Sequence, residues 1–173
     1  MGGKGSAEIE RDQAVRKLGQ LIGQTRIAML TTLTEEGAFR SRPITTHGAS
    51  FDGDLWFLSR LGSAKIEEVR RHRRVGLTYA RYEDNSYVSL SGTAQVVVDP
   101  RKAAELWDPS YQAWFPGGPT DPDLALIKVR VETAEYWAAP ALTWPLSAGF
   151  VVMAPGQRDD PQFHARIVLG PPG

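Results

Sequence analysis

The order of elements in this chain predicts a mainly β (α+β) domain, with six antiparallel strands curled into a closed or half-closed barrel and short helices on its flanks. Three observations lead there. Apolar and β-branched runs recur between Gly, Asp, Asn and Pro turn signals. Several of these runs follow one another across short turns, so antiparallel hairpins dominate. No repeated strand–helix–strand alternation runs through the chain, which argues against a doubly wound sheet and for a barrel.

From Glu8 to Ile22 the residues Val15, Leu18, Leu21 and Ile22 fall at helical spacing, and Gly23 is placed to end that helix. Arg26–Leu33 is a dense β-branched and apolar run, and Glu35-Glu36-Gly37 turns it into a second strand, Ala38–Thr46. Asp52-Gly53 signals a turn before a third strand, Leu55–Leu58. Ser63–Arg71 reads as a helix capped by Ser63, with Ile66, Val69 and the stem of Arg70 facing inward. Arg73–Tyr82 and Tyr87–Asp99 are two long strands joined at Asp84-Asn85. Pro100 can open a short helix, Arg101–Trp107. The Pro-, Gly- and aromatic-rich stretch Asp108–Asp123 reads as a loop with a brief helix, and Leu124–Trp137 as the last clear strand. Beyond it, Trp144 and Phe150–Met153 could add a strand or pack on a neighbour.

A length of 173 residues suits one domain with a real core, and 20 basic against 20 acidic residues give a formal net charge of zero. That balance argues against a general affinity for nucleic acid or anionic membranes. The chain has no cysteine, which excludes disulfides, thiolate metal sites and cysteine nucleophiles. No apolar run approaches the ~20 residues of a membrane helix, and no signal-peptide core stands at the start, so the cytoplasm is the expected compartment. Met1–Ser6 fits the permissive myristoylation pattern, but its Gly and Ser content reads more simply as a flexible tail over residues 1–7.

Chemistry concentrates in two stretches. In Arg40-Ser41-Arg42-Pro43, strand alternation puts Arg40, Arg42 and Ile44 on one face and Phe39, Ser41 and Pro43 on the other. Adjacent arginines repel unless an anion or carboxylates lie between them, and the simpler alternative is a solvated edge with surface ion pairs. Pro43 removes a ladder donor, which suits an edge or a barrel mouth. In Leu58-Ser59-Arg60-Leu61-Gly62-Ser63-Ala64-Lys65, a strand ends in a hydroxyl, a short glycine loop follows and a helix begins. Two hydroxyls, a lysine and the free N–H groups of a helix start can hold a phosphate, although the same residues also make an ordinary serine cap beside a surface lysine.

Taken in order, these stretches resemble the split barrels of the pyridoxamine 5'-phosphate oxidase-like family. The matching pieces are the Arg-led strand Arg40–Thr45, the strand end Phe57-Leu58-Ser59, Ser63-Ala64-Lys65, and the glycine strand Ser89–Ala94. Leu106-Trp107, Trp114–Gly118, Asp121-Pro122 and Glu135-Tyr136-Trp137 look like the general stress protein 26 branch, and the resemblance runs from about Gln13 to Trp137.

The resemblance implies a six-stranded antiparallel split β-barrel over residues 8–140, a partly ordered extension over 141–173, and FMN bound at a homodimer interface. Arg40, Ser59, Ser63 and Lys65 would hold the phosphate. Ser41, Arg42, Pro43, Ile44 and Thr45 would line the ribityl chain and ring edge, with Leu58 in the flanking strand end. Arg42 is the candidate to tune the flavin, and Trp107 or Trp114 of the partner subunit the candidate to cover its ring; ordinary core or interface packing is the alternative for both tryptophans.

Ala64 stands where the oxidases usually carry an arginine, Thr45 where they carry a lysine and Tyr87 where they often carry a glutamine. The oxidases' substrate-phosphate helix and C-terminal ending have no match, so pyridoxamine phosphate oxidation is not expected. What is implied is an FMN-dependent oxidoreductase of unread substrate and electron donor. The alternatives are a non-catalytic flavin-binding stress protein, or a barrel using F420 or heme. Heme usually needs an axial histidine, and His47, His72 and His164 are scattered without ligand spacing, so no metal site is expected. The run Arg70–Arg74 sits at a helix end, where cations complement the helix dipole.

Overall fold

The computed structural model describes residues 6–46, 51–138 and 160–170. Its elements are α1 (Ser6–Gly23), β1 (Ile27–Leu33), β2 (Phe39–Thr45), β3 (Asp54–Arg60), α2 (Ala64–Arg71), β4 (Arg74–Arg81), β5 (Ser86–Val97), α3 (Pro100–Glu105), β6 (Leu124–Ala138) and β7 (His164–Val168). Two 3₁₀ turns, Pro109–Ala113 and Gly118–Thr120, stand between α3 and β6.

Every strand pairs antiparallel, in the order β2-β1-β4-β5-β6-β3. Although β2 and β3 are consecutive in sequence, they stand at opposite ends of this order. The curl of the sheet brings them close without ladder pairing. That gap is the split, and the architecture is the expected split barrel. The strand set is larger by one: β7 pairs with β6 over Thr133–Trp137, beyond the reach of β3, which pairs with Leu124–Arg130. Residues 164–168 thus form a strand that the sequence pattern did not single out; Trp144 and Phe150–Met153 lie outside the described residues.

Alternation along the strands fills the barrel. Ala28, Leu30, Leu77, Tyr79, Leu90, Phe57, Ile127, Val129 and Tyr136 are buried in one cluster, and α1 closes one side with Ala14, Leu18, Leu21 and Ile22 at helical spacing. A smaller cluster on the other face of β3 and β6 joins Leu58, Leu124 and Leu126 to Ala103, Leu106 and Phe115. There α3 begins at Pro100, with the Asp99 carboxylate accepting the amides of Arg101 (2.9 Å) and Lys102 (3.1 Å).

A register shift at Ser91/Gly92 leaves Glu132 as the extra residue of β6. Gly92 is required there, because a Cβ would lie 2.0 Å from the Arg130 carbonyl oxygen. The carboxylate of Glu132 is buried, accepting from the Thr93 hydroxyl and from Arg74 Nη1 at 3.1 Å. Its backbone oxygen accepts from the Leu169 amide at 2.8 Å and so ties down the end of β7.

On α2, Ile66 and Val69 are buried as expected, but Arg70 is exposed and pairs with Glu67 at 2.6 Å; the third buried position is Glu68. The basic run at the end of α2 is engaged within the chain, Arg71 with Glu35 and Arg74 with Glu132. Among the described residues no helix is long and apolar enough to cross a membrane, and no group of His, Cys, Asp and Glu is disposed to hold a metal ion. The possible lipidation site at the start and His47 lie outside the described residues.

Candidate functional site

Strand β2 is the edge of the sheet, and Ile44 is its buried residue. Ile44 pairs with Ala28 and closes the apolar layer; Arg42 and Arg40 follow on the same face, opposite Leu30 and Thr32, where the barrel opens. Helix α2 packs against β1 and brings Glu68 to this point. Arg40 Nη1 donates to Glu68 Oε1 at 2.7 Å, Arg42 Nη2 to Oε2 at 2.5 Å, and the Thr32 hydroxyl to Oε2 at 2.5 Å. Arg42 also bonds Thr32 Oγ1. The adjacent arginines are therefore held by a carboxylate that the sequence alone did not reveal.

Glu68 is only 8% exposed. Burial pushes its carboxyl up, but the bonds from Thr32 and Arg42 and the charges of Arg42 and Arg40 outweigh this and hold it below the usual carboxylate range. Lys65, one turn earlier on α2, belongs to the same electrostatic cluster. Burial, and then the charge of Arg42, push its ammonium below the ordinary lysine value, with Glu68 opposing. Glu68 thus bonds two arginines and is coupled to Lys65, while Arg40 also lies in the field of Glu36.

Across the split, the buried Ser59 stands one residue before the end of β3, and its Oγ lies 3.1 Å from Ser63 Oγ. Ser63 is the N-cap of α2 by position, but its hydroxyl makes no cap bond and turns to Ser59 instead. The Ser63 carbonyl accepts the Ile66 amide at 3.0 Å, but the Ser63 hydroxyl caps no amide of the first turn. Arg40 and Arg42 stand on β2 and Ser59 on β3, the two strands that flank the split, while Ser63 and Lys65 stand at the start of α2.

The remaining sequence-derived candidates are placed differently. Ser41, Pro43 and Thr45 alternate to the outer face of β2, where Ser41 Oγ lies 2.7 Å from Thr31 Oγ1. Leu58 turns its side chain into the smaller core, away from Ser59. Trp107 packs on that core and stands 6.0 Å from the Tyr111 ring, while Trp114 is 67% exposed. Tyr111 was not singled out from sequence, yet its phenol lies in the electrostatic reach of Thr45 and Arg26. The aromatic turn after α3 therefore reaches the far end of β2 within the same chain. Burial, and then the charge of Asp108, push the Tyr111 phenol up, with Thr45 and Arg26 opposing.

The split between β2 and β3 thus carries arginines on one strand and a buried serine on the other, with the start of α2 beside them. The chain belongs to the pyridoxamine 5'-phosphate oxidase-like family, whose pattern matches residues 13–152. Protein bli-3 of Neurospora crassa is 27% identical over 139 residues, covering 75% of this chain and 66% of the length of that protein. A general stress FMN/FAD binding protein from Xanthomonas citri is 27% identical, with a TM-score of 0.65 over 83% of this chain and 99% of its own. A Clostridium acetobutylicum protein related to general stress protein 26 shares the fold at 14% identity, with a TM-score of 0.68 over 91% of this chain and 96% of its own.

Proposed function

We propose that this chain is a flavin-binding protein that holds FMN at a homodimer interface, with the phosphate at the mouth of the split. The observation that carries this reading is the gathering of cations around Glu68. Two arginines and a lysine on one carboxylate leave room for a phosphate ester of charge near −2, and Ser59, Ser63 and the start of α2 add donors. From this end β2 runs to Thr45 and Tyr111, along which the ribityl chain and ring edge would lie.

The second copy is part of the same reading. The outer face of β2, β1, β5, β6 and β7 carries the exposed Phe39, Ile27, Met29 and Val168 beside the hydroxyl pairs Thr31–Ser41 and Ser91–Thr133. Apolar side chains on a face with small hydroxyl neighbours suit self-association about a two-fold axis.

Bound FMN supplies the redox chemistry. The chain's residues anchor the phosphate, keep water from part of the cofactor and place positive charge near it. The reading extends to an oxidoreductase of the reducing cytoplasm, with a small-molecule substrate or electron donor. A non-catalytic flavin protein is separated from it by whether the reduced protein passes electrons faster than free flavin.

Titration of purified, flavin-free protein with FMN, read by flavin and tryptophan fluorescence and by sedimentation, tests the proposal. Saturation near one FMN per subunit on a dimer is expected. No binding at tens of micromolar, or tight binding by a monomer, overturns it.

A further inference from the structure

We infer that Glu68 is a built-in competitor for the ligand's phosphate: its carboxylate occupies Arg40 in the free protein and yields that arginine when a phosphate arrives. The inference rests on the phosphate reading of the mouth but concerns a residue that the reading does not use as a ligand.

The two arginines are held unequally. Arg42 is 18% exposed and bonded to both Glu68 Oε2 and Thr32, so it is locked in place. Arg40 is 54% exposed and bonded to Glu68 Oε1. Its guanidinium has further donors and a solvent side from which an anion can approach. Glu68 is the reverse case. It is buried and takes three donors, so it cannot leave the site; what can move is Arg40.

An anion that reaches Arg40 meets Glu68, bonded to the same guanidinium at 2.7 Å, as a like charge. Both draw on the same cations, so their coupling is repulsive. Glu68 then does two things. It keeps Arg42 from standing as a buried, uncompensated charge when no ligand is present, and it sets how much negative charge the mouth will accept. The division of labour is that Arg42 is a positioning residue, Arg40 the recruited ligand and Glu68 the counter-ion that tunes affinity.

The test compares FMN with riboflavin, which lacks the phosphate, in wild type, Glu68→Gln, Glu68→Asp and Arg40→Ala. Glu68→Gln is expected to raise the preference for FMN over riboflavin on the order of tenfold, the scale of one unit charge nearby at surface dielectric and moderate salt. Glu68→Asp keeps the charge and should return the preference to the wild-type value. Adding Arg40→Ala to Glu68→Gln should remove most of the gain. A preference that falls in Glu68→Gln shows that Glu68 only organises the arginines, and an unchanged one shows that no phosphate meets them; either overturns the inference. Thermal unfolding in inorganic phosphate against chloride at matched ionic strength separates this from the flavin reading. A larger phosphate stabilisation of Glu68→Gln than of wild type supports the competition even where no flavin binds, and an equal one overturns it.

Discussion

Glu68 on α2 and Glu132 on β6 are both buried carboxylates, 8% and 3% exposed, and each accepts a hydrogen bond from a threonine hydroxyl. Their cations differ. Glu132 meets Arg74 at 3.1 Å. Glu68 meets Arg40 and Arg42 and feels Lys65. The first arrangement stitches a bulge to its neighbouring strand and, through the backbone of Glu132, to the end of β7. The second gathers two arginines and the field of a lysine on one buried carboxylate, with Glu36 near Arg40 on the exposed side. On the proposed reading, the cations gathered about Glu68 are where a second anion, the phosphate, is held.

The comparison can be broken first at the bulge. Gly92→Ala should cost more than about 3 kcal/mol, because backbone must shift where a Cβ would meet the Arg130 carbonyl at 2.0 Å. Urea denaturation measures it. A loss below about 1 kcal/mol, within the range of ordinary substitutions, would show that β5 and β6 yield easily and that the bulge is not a fixed mount for Glu132.

The mouth is sharpened by Lys65→Ala. FMN affinity should weaken by about 1.5–3 kcal/mol, the scale of a hydrogen bond to a charged group. Stability should hold or rise, since burial and Arg42 already disfavour the Lys65 charge. Unchanged affinity in the fluorescence titration removes Lys65 from the phosphate site.

The smallest effect is the acid limb of stability. The Glu68 carboxyl lies below its ordinary value of 4.5 in the folded chain, so the native state binds fewer protons there than the unfolded chain. Its contribution is fully present above the unfolded value and is lost as pH falls through the lower, folded one. Wild type should therefore lose stability relative to Glu68→Gln as pH drops below about 4.5, the ordinary carboxylate range. Parallel unfolding curves for the two proteins over that range would show that the three donors to Glu68 do not favour its charge.

Much of this could be read from local chemistry. The strands β1 to β6 and the helices α1 and α2 stand within a few residues of their expected places, because apolar periodicity and turn residues such as Gly37 and Gly53, both at positive φ, act over short spans. Arg40, Arg42, Ser59, Ser63 and Lys65 were legible as polar residues out of keeping with a plain barrel. β7 was not, since a five-residue strand near Pro and Gly gives little periodicity and is fixed by its pairing with β6. Tyr111 was not, because its neighbour Thr45 lies far away in sequence on another element.

By itself, then, the sequence determined the barrel class, the edge position of the Arg-Ser-Arg-Pro strand and the kinds of side chain available for an anion. Those are matters of residue type and near-neighbour spacing, which the chain carries locally. Only the tertiary structure decided which charges meet. Glu68 reads on α2 as one more acidic residue in Glu67-Glu68, and the helix phase turns Glu67 to solvent and Glu68 inward. The packing of α2 on β1 then sets that carboxylate between two arginines about thirty positions away. Coulombic interaction depends on distance through space and on burial, and neither is written in the order of residues.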